Sequence, residues 1–355
     1  MGSLPVVHAR SDTVHLLRCD DADREAWDDY VSATDRASFY HRYAWREINR
    51  ESLGHESCYL AAIDAGRVVG ILPFVHVDSR LFGNIACSMP FVNYGGPVGD
   101  SEEVETQLVT EATRVADEWG VEFLEIRARR HLGDTYPTSL HKVSMTVDLP
   151  ADPDEMWKGF KTELRQHIRR GYKRGFSVVA GGVELVDDFF SVFAEAWRDM
   201  GTPVYSKEYL QRVARVFSGR IRICIAYHDS TPAAGSFQAY DGGIAEGLWL
   251  GTRAKYRHDY VGYVLYWELL KDAIAGGCRH FHLGRSTAQS GAEQFKKKWN
   301  AYPTQLYWQY VLRTRESIPQ LNVMNPKFRL AIATWRRLPL FITNTIGPSL
   351  ARNIP

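Results

Sequence analysis

The sequence predicts an α/β (α+β) protein in which one unit of strands and a helix occurs twice. Residues 59–77 contain two apolar, β-rich runs joined by a turn at 64–66, and residues 221–251 contain three runs separated by turn clusters. An amphipathic helix follows in each half, over 102–119 and over 262–275, and a short strand comes next. We therefore expect two tandem domains, each a mixed twisted sheet flanked by helices.

The chain length and one polar segment predict where the two domains meet. With 355 residues, the chain exceeds a single typical domain of roughly 100 to 200 residues. Two prolines among acidic residues in "DLPADPDEMW", near residue 150, suit a link between domains. We expect a first domain at 1–150, a second domain at 151–316 and a basic, apolar tail at 317–355.

Charge and cysteine content narrow the class of protein. The 43 Lys and Arg residues nearly balance 42 Asp and Glu residues, which argues against a surface that coats nucleic acid. The five cysteines are scattered without CxxC spacing, as is usual for reduced cytosolic thiols. The first residues, "MGSLPVVHARSD", do not read as a signal peptide. These features predict a cytoplasmic protein.

The tail from residue 325 predicts a peripheral contact with the inner membrane face. It contains five basic residues and no acidic residue, together with clustered apolar and aromatic side chains. Pro339, Gly347 and Pro348 make it too broken for a spanning helix of about 20 apolar residues. Packing of the tail against the domains is the alternative interpretation.

A helix with a continuous basic stripe is predicted over residues 152–175. Asp152 is a plausible N-cap, and Gly175 can end the helix. The stripe comprises Lys158, Lys161, Arg165, Arg169 and Lys173. It suits either a solvated face or a phosphate-bearing ligand such as RNA or a nucleotide pyrophosphate. On the second interpretation, three of these residues bind substrate: Arg165, Arg169 and Lys173.

A second basic segment follows the strand "HFHL" at 280–283. Side chains alternate along a strand, so His280 and His282 share one face. Arg285 is expected in a loop after the strand, and an S-x-x-E capping box then starts a helix that carries three lysines at 296–298. Helix N-terminal amides, Arg285 and at least one lysine can together hold an anion in a cleft.

Other common chemistries find little support in the sequence. Cys278, His280 and His282 occupy alternate positions of one strand, but a fourth ligand for structural zinc is not evident, so we predict no metal site. The GxxxxGK[ST] phosphate loop, a GxGxxG run after a strand and the GxSxG nucleophile elbow are absent from the sequence. ATP, NAD and serine-hydrolase chemistry therefore have no local motif.

Five stretches of the chain carry a family resemblance. They are "SMPFVNYGG" (88–96), "LRQHIRRGYKRGF" (164–176), "GTPVYSKEYL" (201–210), "HFHLGRS" (280–286) and "FKKKWN" (295–300). Together they resemble the FemAB (FemABX-type) family, and more closely the FemAB-related proteins of exosortase/PEP-CTERM surface-polymer systems. The resemblance implies two tandem acetyltransferase-like (GNAT) domains. Family members with known activity transfer an amino acid from aminoacyl-tRNA to an amine of a peptidoglycan precursor.

The resemblance also implies roles for particular residues. The family's Phe-Lys pair maps to Phe295 and Lys296, and its Lys is thought to hold precursor phosphate or to steady the reacting carbonyl oxygen. His282 stands where relatives usually have an Asp before the Gly-Arg-Ser. Aminoacyl-transferring members carry a helical arm for tRNA, and no long charged heptad segment occurs in this sequence.

The GNAT-like ancestry implies acyl-CoA as an alternative donor. Acetyltransferases hold the CoA pyrophosphate with Q/R-x-x-G-x-G/A at the start of a helix, and the corresponding run here is "RHDYVG" at 257–262. Arg257 and Gly262 match this pattern, whereas Tyr260 replaces the first Gly and should weaken the cradle. We expect no tightly bound cofactor, with aminoacyl-tRNA or acyl-CoA as the acyl donor.

The predicted function is N-acyl transfer to an amine of a cell-envelope or surface-polymer precursor. His282 is the candidate base, with His280 as its rival, while Lys296 and Arg285 stabilise phosphate or developing negative charge. The other residues predicted to contact substrate are Asn93, Tyr94, Tyr205, Tyr209, Phe295 and Lys297. The expected partners are a small phosphate-bearing precursor and, for an aminoacyl donor, tRNA; the sequence leaves monomer and dimer open.

Two other functions stay open at this point. One is an acyl-CoA-dependent N-acetyltransferase, and the other is a non-catalytic scaffold in exopolysaccharide or surface-protein assembly. Convergence of Lys296, Arg285 and His282 on one pocket would favour an enzyme. Exposure of the same side chains to bulk solvent would favour the scaffold.

Overall fold

The computed structural model describes residues 14–79, 83–319 and 326–354, which form two β-sheets flanked by helices. Among these residues the first sheet has eight strands. In spatial order they are β1 (His15–Arg18), β2 (Ser57–Asp64), β3 (Arg67–Ser79), β4 (Gly83–Cys87), β6 (Phe123–Ala128), β15 (Tyr307–Leu312) and β7 (Thr138–Ser139), with β5 (Val98–Gly99) paired to β3. The second sheet has seven strands. They are β14 (Tyr302–Gln305), β8 (Lys142–Asp148), β13 (His280–Thr287), β12 (Ile244–Thr252), β11 (Thr231–Asp241), β10 (Ile221–His228) and β9 (Phe176–Gly181).

Helices cover both faces of the second sheet. The described α-helices are α1 (Arg24–Ala33), α2 (Trp45–Leu53), α3 (Glu102–Glu118), α4 (Pro153–Gly159), α5 (Thr162–Lys173), α6 (Val186–Met200), α7 (Lys207–Val216), α8 (Val261–Ala275), α9 (Gly291–Lys297), α10 (Pro326–Trp335) and α11 (Leu340–Ala351). Ile223 and Ile225 of β10 belong to the apolar cluster of α6, whereas Cys224 and Ala226 belong to that of α8. Because neighbouring side chains of a strand point to opposite faces, α6 and α8 lie on opposite sides of the sheet.

The same unit occurs in both halves of the chain, as the sequence predicts. In the first half β2, β3 and β4 form an antiparallel meander, α3 follows, and β6 then pairs parallel to β4. In the second half β10, β11 and β12 form the meander, α8 follows, and β13 pairs parallel to β12. The fold class of tandem mixed sheets flanked by helices is confirmed.

Each sheet also contains a strand from beyond the predicted domain limit. β8, which precedes residue 150, pairs with β13 and β14 in the second sheet. β15, which follows β14 in the chain, pairs with β6 in the first sheet. One apolar cluster contains side chains from both halves, among them Phe39 of the first and Phe217 of the second, whose rings lie 4.5 Å apart. The limits at 150 and 316 stay a prediction.

The predicted basic helix is two helices, so the expectation of one helix over 152–175 is wrong. α4 ends at Gly159, and Phe160 has an extended backbone with ψ of 145°. The Phe160 ring is buried edge-on against Trp267 and Trp299. The backbone is extended where this buried ring lies, and α5 begins only at Thr162. The N-cap at Asp152 is confirmed, because its side chain accepts a hydrogen bond from the N–H of Asp154 at 2.9 Å.

The tail packs on the second half through α11. Thr343, Gly347 and Ala351 are buried, and α11 lies against α6. The carbonyl oxygen of Arg352 lies 2.6 Å from Nε2 of His55, which ties the end of α11 to the first half. In the part of the chain that the structure describes, no helix is long and apolar enough to cross a bilayer.

Candidate active site

A bulge in β13 brings two predicted site residues to one face of the sheet. His282 pairs with Thr146 and Arg285 pairs with Ser144, so three residues of β13 advance against two of β8. Without this extra residue, positions three apart would point to opposite faces. Gly284 makes the bulge with a left-handed φ of 75°. The expectation that the strand ends at residue 283 is therefore wrong, because β13 continues through the bulge to Thr287.

A cavity of about 410 Å³ opens where β12 and β13 separate. The two strands pair only over residues 244–246 of β12 and 280–282 of β13, although both continue further. Residues 247–250 and 283–285 line the cavity from the two strands. Its walls also include Tyr40, Asn93, Trp197, Tyr205, Tyr266 and Lys296. Both halves of the chain thus contribute to one cavity.

Lys296 is a buried cation in this cavity. Lys296 belongs to α9. The start of this helix is fixed by its N-cap Ser290, whose Oγ accepts a hydrogen bond from the N–H of Glu293 at 3.3 Å. Lys296 Nζ donates to the carbonyl oxygens of Gly284 and Arg285 at 3.0 and 3.1 Å. Burial lowers the pKa of Lys296 to about 8, although the nearby Glu246 carboxylate opposes the shift. Among the described residues, its hydrogen-bond acceptors are carbonyl groups.

Arg285 places a second cation on the same cavity. Its Nη1 donates to the carbonyl oxygen of Val92 at 3.1 Å, and its guanidinium lies 5.4 Å from the ring centroid of Trp308. Burial, and less strongly the neighbouring Arg127, lowers the pKa of Arg285 to about 10. The cavity wall therefore carries positive charge that no carboxylate of the described residues pairs directly.

Behind the cavity wall lies a buried hydrogen-bonded pair, Glu246 and His282. His282 Nδ1 lies 3.2 Å from Oε2 of Glu246 and 2.9 Å from the hydroxyl of Tyr94. The other carboxylate oxygen, Oε1, accepts from the Tyr40 hydroxyl at 3.1 Å and from Asn93 Nδ2 at 3.0 Å. Burial alone would raise the pKa of Glu246, but the adjacent His282 and the hydrogen bonds from Tyr94 and Asn93 hold it below its usual value.

Glu246 and Tyr40 were missed by the sequence reasoning. Glu246 is 3 % exposed and lies opposite His282 in the parallel register of β12 and β13. A signal was available: an acid in the centre of the apolar run "IAEGLWLG" needs a buried partner. Tyr40 comes from a short turn of helix in the first half, more than 200 positions away in the chain, and no local pattern identifies it.

A second cavity lies on the other side of this pair. Its volume is about 790 Å³, and Glu246, His282 and Tyr94 are part of its lining. Tyr40 and Asn93, which bind the same carboxylate, line the first cavity instead. The Glu246–His282 pair thus lies in a wall between two cavities and is hydrogen-bonded to groups that face the first. His280, the rival base, lines the second cavity and binds the Asp148 carboxylate at 2.9 Å.

The other predicted substrate contacts divide between the cavity, the core and the surface. Asn93 and Tyr205 line the cavity, and Tyr94 is buried beside it. Tyr209 and Phe295 pack in aromatic clusters, against Trp249 and Tyr266 respectively. Lys297 points away and pairs with Glu293 at 2.6 Å. The residues predicted from the basic stripe, Arg165, Arg169 and Lys173, lie on α5 and are not part of the cavity wall.

The predicted CoA contacts lie at the start of α8. The helix has no side-chain cap, so its first N–H groups are available to a ligand. Tyr260 has a left-handed φ of 65°, the conformation that the Gly of the pattern would adopt readily. Gly262 has open space where a Cβ would lie, and Arg257 is exposed in the short 3-10 helix that precedes α8. The backbone of Tyr260 therefore has a conformation that the Gly of the pattern could also adopt.

Metal ligands do not gather in the described part of the chain, where no group of three or more His, Cys, Asp or Glu residues could hold an ion. Cys278 is buried in the core, and His280 and His282 bind Asp148 and Glu246 instead. The side chains of this strand are therefore engaged in hydrogen bonds and packing.

Comparison with known proteins agrees with this architecture. Residues 158–297 match the family model of an acetyltransferase (GNAT) domain. A comparison with curated proteins gives no match. Among solved structures, FemX is similar at 12 % identity with a TM-score of 0.65, over 90 % of this chain and 100 % of that chain.

Two further structures have the same fold. The C-terminal domain (DUF2156) of a putative lysylphosphatidylglycerol synthetase from Agrobacterium fabrum is 14 % identical, with a TM-score of 0.57 over 92 % of this chain and 96 % of that one. A tandem GNAT protein from the clavulanic acid biosynthesis pathway is 13 % identical, with a TM-score of 0.55 over 86 % of this chain and 100 % of that one. The chain therefore has a tandem GNAT-like fold, and residues 158–297 of it match an acetyltransferase (GNAT) domain.

Proposed function

We propose that the chain is an N-acyltransferase and that transfer takes place in the cavity between β12 and β13. The observation that carries this proposal is the placement of two buried cations, Lys296 and Arg285, on a cavity behind whose wall the Glu246–His282 pair lies. Buried cations without carboxylate partners destabilise a fold, so their presence is best explained by an anionic ligand. A scaffold would have no use for this arrangement.

The reaction forms a bond between the acceptor nitrogen and the acyl carbonyl carbon, and it breaks the bond from that carbon to the donor's sulfur or oxygen. Lys296 lies where it can stabilise the negative charge that develops on the carbonyl oxygen, or a phosphate of the substrate. The amine must lose a proton. Tyr40 lines the cavity and its hydroxyl donates to Glu246, which provides a path for that proton.

His282 is suited to receive the proton at the end of this path. With hydrogen on Nε2, the Nδ1 of His282 can accept the proton from Glu246, which lies 3.2 Å away, while the Tyr94 hydroxyl donates to the carboxylate. The hydrogen on Nε2 is then the proton that is released. His282 also lines the second cavity, through which the proton can leave to solvent. The leaving group takes up a proton from solvent, which completes the balance.

Acyl-CoA is the proposed donor. The match of residues 158–297 to an acetyltransferase domain favours it, as do the uncapped first turn of α8 and the open space at Gly262. Arg257 is exposed beside that turn and would add charge for the pyrophosphate. Aminoacyl-tRNA is the second candidate, favoured by the exposed cations Arg169 and Lys173 on α5, which would suit an RNA backbone.

The proposed acceptor is an amine on a phosphate-bearing precursor of the cell envelope or of a surface polymer. A phosphate beside the reacting amine would bind Arg285, while Lys296 stabilises the charge on the carbonyl oxygen. The association with exosortase/PEP-CTERM systems stays a prediction from the sequence resemblance.

Thermal-shift titration followed by transfer assays tests the proposal. The full chain is titrated with short- and long-chain acyl-CoAs, aminoacyl-tRNA and a UDP-linked amino precursor, because a ligand of the folded state raises Tm. We expect a shift with an acyl-CoA and formation of an amide when an amine is added. If only aminoacyl-tRNA raises Tm and supports amide formation, the donor is aminoacyl-tRNA and not acyl-CoA. If no ligand raises Tm and no amide forms, the proposal that the chain is an N-acyltransferase is contradicted, and a non-catalytic scaffold is favoured.

A further inference from the structure

The first cavity extends to both faces of the second sheet. Trp197 and Met200 of α6 line it on one face, and Tyr266 and Leu269 of α8 line it on the other. The two parts are joined through the opening between β12 and β13, because these strands stop pairing after residues 246 and 282. A ligand in this cavity can therefore contact side chains on both faces of the sheet.

The part of the cavity on the α8 face is predominantly apolar. We call it the α8 lobe and define it by six lining residues: Ser236, Leu250, Tyr266, Leu269, Phe281 and Leu283. All but Ser236 belong to the apolar cluster of α8 or pack against it. Ser236 lies directly opposite Leu250 in the antiparallel register of β11 and β12, so its side chain points to the same face. The lobe therefore suits the apolar part of a ligand.

The charges around the α8 lobe disfavour an acyl group that carries an ammonium. Both charged side chains in the described lining of the cavity, Lys296 and Arg285, are cations, and no carboxylate of the described residues lines it. Helix α9, which carries Lys296, lies on the same side of the sheet as the lobe, because the ring of Phe295 packs 5.1 Å from that of Tyr266. An aminoacyl group would bring its ammonium close to Lys296 without a counterion. An uncharged acyl chain would meet no such repulsion.

The volume of the cavity indicates the length of that chain. A cavity of roughly 150 Å³ lined by apolar side chains can hold a benzene ring. The first cavity has a volume of about 410 Å³ and is shared between the two faces of the sheet. Half of this volume would accommodate about six to eight carbon atoms. An acetyl group would contact few of the side chains of the lobe, whereas protein interiors are normally close-packed.

We propose that the chain selects an acyl-CoA with an apolar acyl group of about six to eight carbons, in preference to acetyl and aminoacyl donors, and that the α8 lobe holds this group. The carbonyl oxygen lies at Lys296, and the amine attacks from the face of Tyr40, which belongs to the α6 cluster. The amide bond forms as the thioester C–S bond breaks, and CoA leaves as the thiol. This inference rests on the proposed function as an N-acyltransferase.

Ser236 is expected to limit the length of the acyl group. It lies on β11, one strand beyond β12 when counted from the opening between β12 and β13. Neighbouring strands lie about 4.8 Å apart, so Ser236 marks the inner end of the lobe. A larger side chain at this position should shorten the space for the acyl chain.

Isothermal titration calorimetry of the full chain with CoA, acetyl-CoA, hexanoyl-CoA and octanoyl-CoA tests the inference, with no acceptor present. We expect hexanoyl-CoA to bind roughly 100-fold more tightly than acetyl-CoA, since each buried methylene contributes about fourfold. Ser236→Leu should reduce this ratio by roughly tenfold or more, because its side chain occupies the inner end of the lobe. Leu269→Ala should instead shift the tightest binding to an acyl chain longer than in the wild type.

Leu270→Ala is the matched control, because Leu270 is the next leucine of α8 and is buried in the core outside the cavity lining. It should keep the wild-type preference for chain length. Equal affinities of the wild type for acetyl-CoA and hexanoyl-CoA would overturn the inference, as would the same preference in Leu269→Ala and Leu270→Ala.

Transfer assays with an added amine separate this inference from the proposed function. If amides form as fast from acetyl-CoA as from hexanoyl-CoA, the inference is overturned and the N-acyltransferase stands. If binding depends on chain length as expected but no amide forms with any amine, the proposed function is refuted and the lobe stands as a site that binds acyl chains. If no acyl-CoA binds more tightly than CoA, the lobe holds no acyl group and the inference fails.

Discussion

His282 Nδ1 lies 3.2 Å from Oε2 of Glu246, and this buried pair is hydrogen-bonded through Tyr40 to the cavity that holds Lys296 and Arg285. The pair joins the two parallel strands at the last position before they separate. A titratable pair at the closed end of an opening between strands is well placed to receive a proton from a substrate in that opening.

Glu246→Gln should lower the turnover of acyl transfer by roughly 100-fold while leaving donor KM within a few-fold. The amide keeps the shape and one acceptor oxygen but cannot take up the proton that Tyr40 passes on. Steady-state kinetics on the purified variant measures the effect. Glu268→Gln changes a carboxylate bound to Tyr172, away from the cavity, and should have wild-type rates. If Glu246→Gln has full activity, the Glu246–His282 pair takes no part in the reaction.

The affinity for an anionic ligand should decrease as pH rises through about 8, where Lys296 loses its proton. Titrations of the donor at several pH values measure this dependence, after correction for the ligand's own ionisation. Lys296→Arg keeps the positive charge and should flatten the pH profile in this range. A profile that is identical in the two proteins would show that Lys296 does not titrate in contact with the ligand.

Lys296→Met should fold as stably as the wild type or more stably at neutral pH. Burial lowers the pKa of Lys296 below the ordinary value of 10.5, so the folded state binds this proton less tightly than the unfolded chain does. The resulting destabilisation is fully present below about pH 8 and disappears as pH rises towards 10.5. Urea unfolding at neutral and alkaline pH should therefore show the stability advantage of the variant shrinking, and a variant that is less stable at both would contradict this account.

Gly284→Ala should destabilise the chain by about 1–2 kcal/mol, because the residue has a left-handed φ of 75° that a Cβ disfavours. The added Cβ would also lie 3.2 Å from the carbonyl oxygen of Gly247 across the cavity. Urea unfolding measures the change. Gly291→Ala is the control, since Gly291 has open space and begins α9. Equal stability of the two variants would mean that the bulge adapts without strain.

Much of the architecture could be predicted because it depends on local signals. The repeated order of strands and helix follows from apolar periodicity and turn residues, and the start of α9 follows from its capping box. Lys296 and Arg285 were named as site residues from two adjacent segments, and both line the first cavity. His282 is buried beside them, separated from the cavity by its hydrogen-bonded partners.

The remaining features depend on contacts between distant parts of the chain. Phe160 interrupts the predicted basic helix, and its ring packs against Trp267 of α8 and Trp299, which follows α9. The bulge at Gly284 depends on pairing with β8, which lies on the other side of the predicted domain limit. Tyr40 and Glu246 meet only when the two halves fold together, so no sequence window contains both.

The most direct test compares acyl transfer by Lys296→Met and Lys297→Met under single-turnover conditions. The two lysines are neighbours on α9, but Lys296 is buried in the cavity whereas Lys297 is exposed and paired with Glu293. The account predicts that Lys296→Met lowers the transfer rate by at least 100-fold with its fold intact, and that Lys297→Met transfers at the wild-type rate. Equal rates for the two variants would contradict the claim that this cavity is the site of acyl transfer.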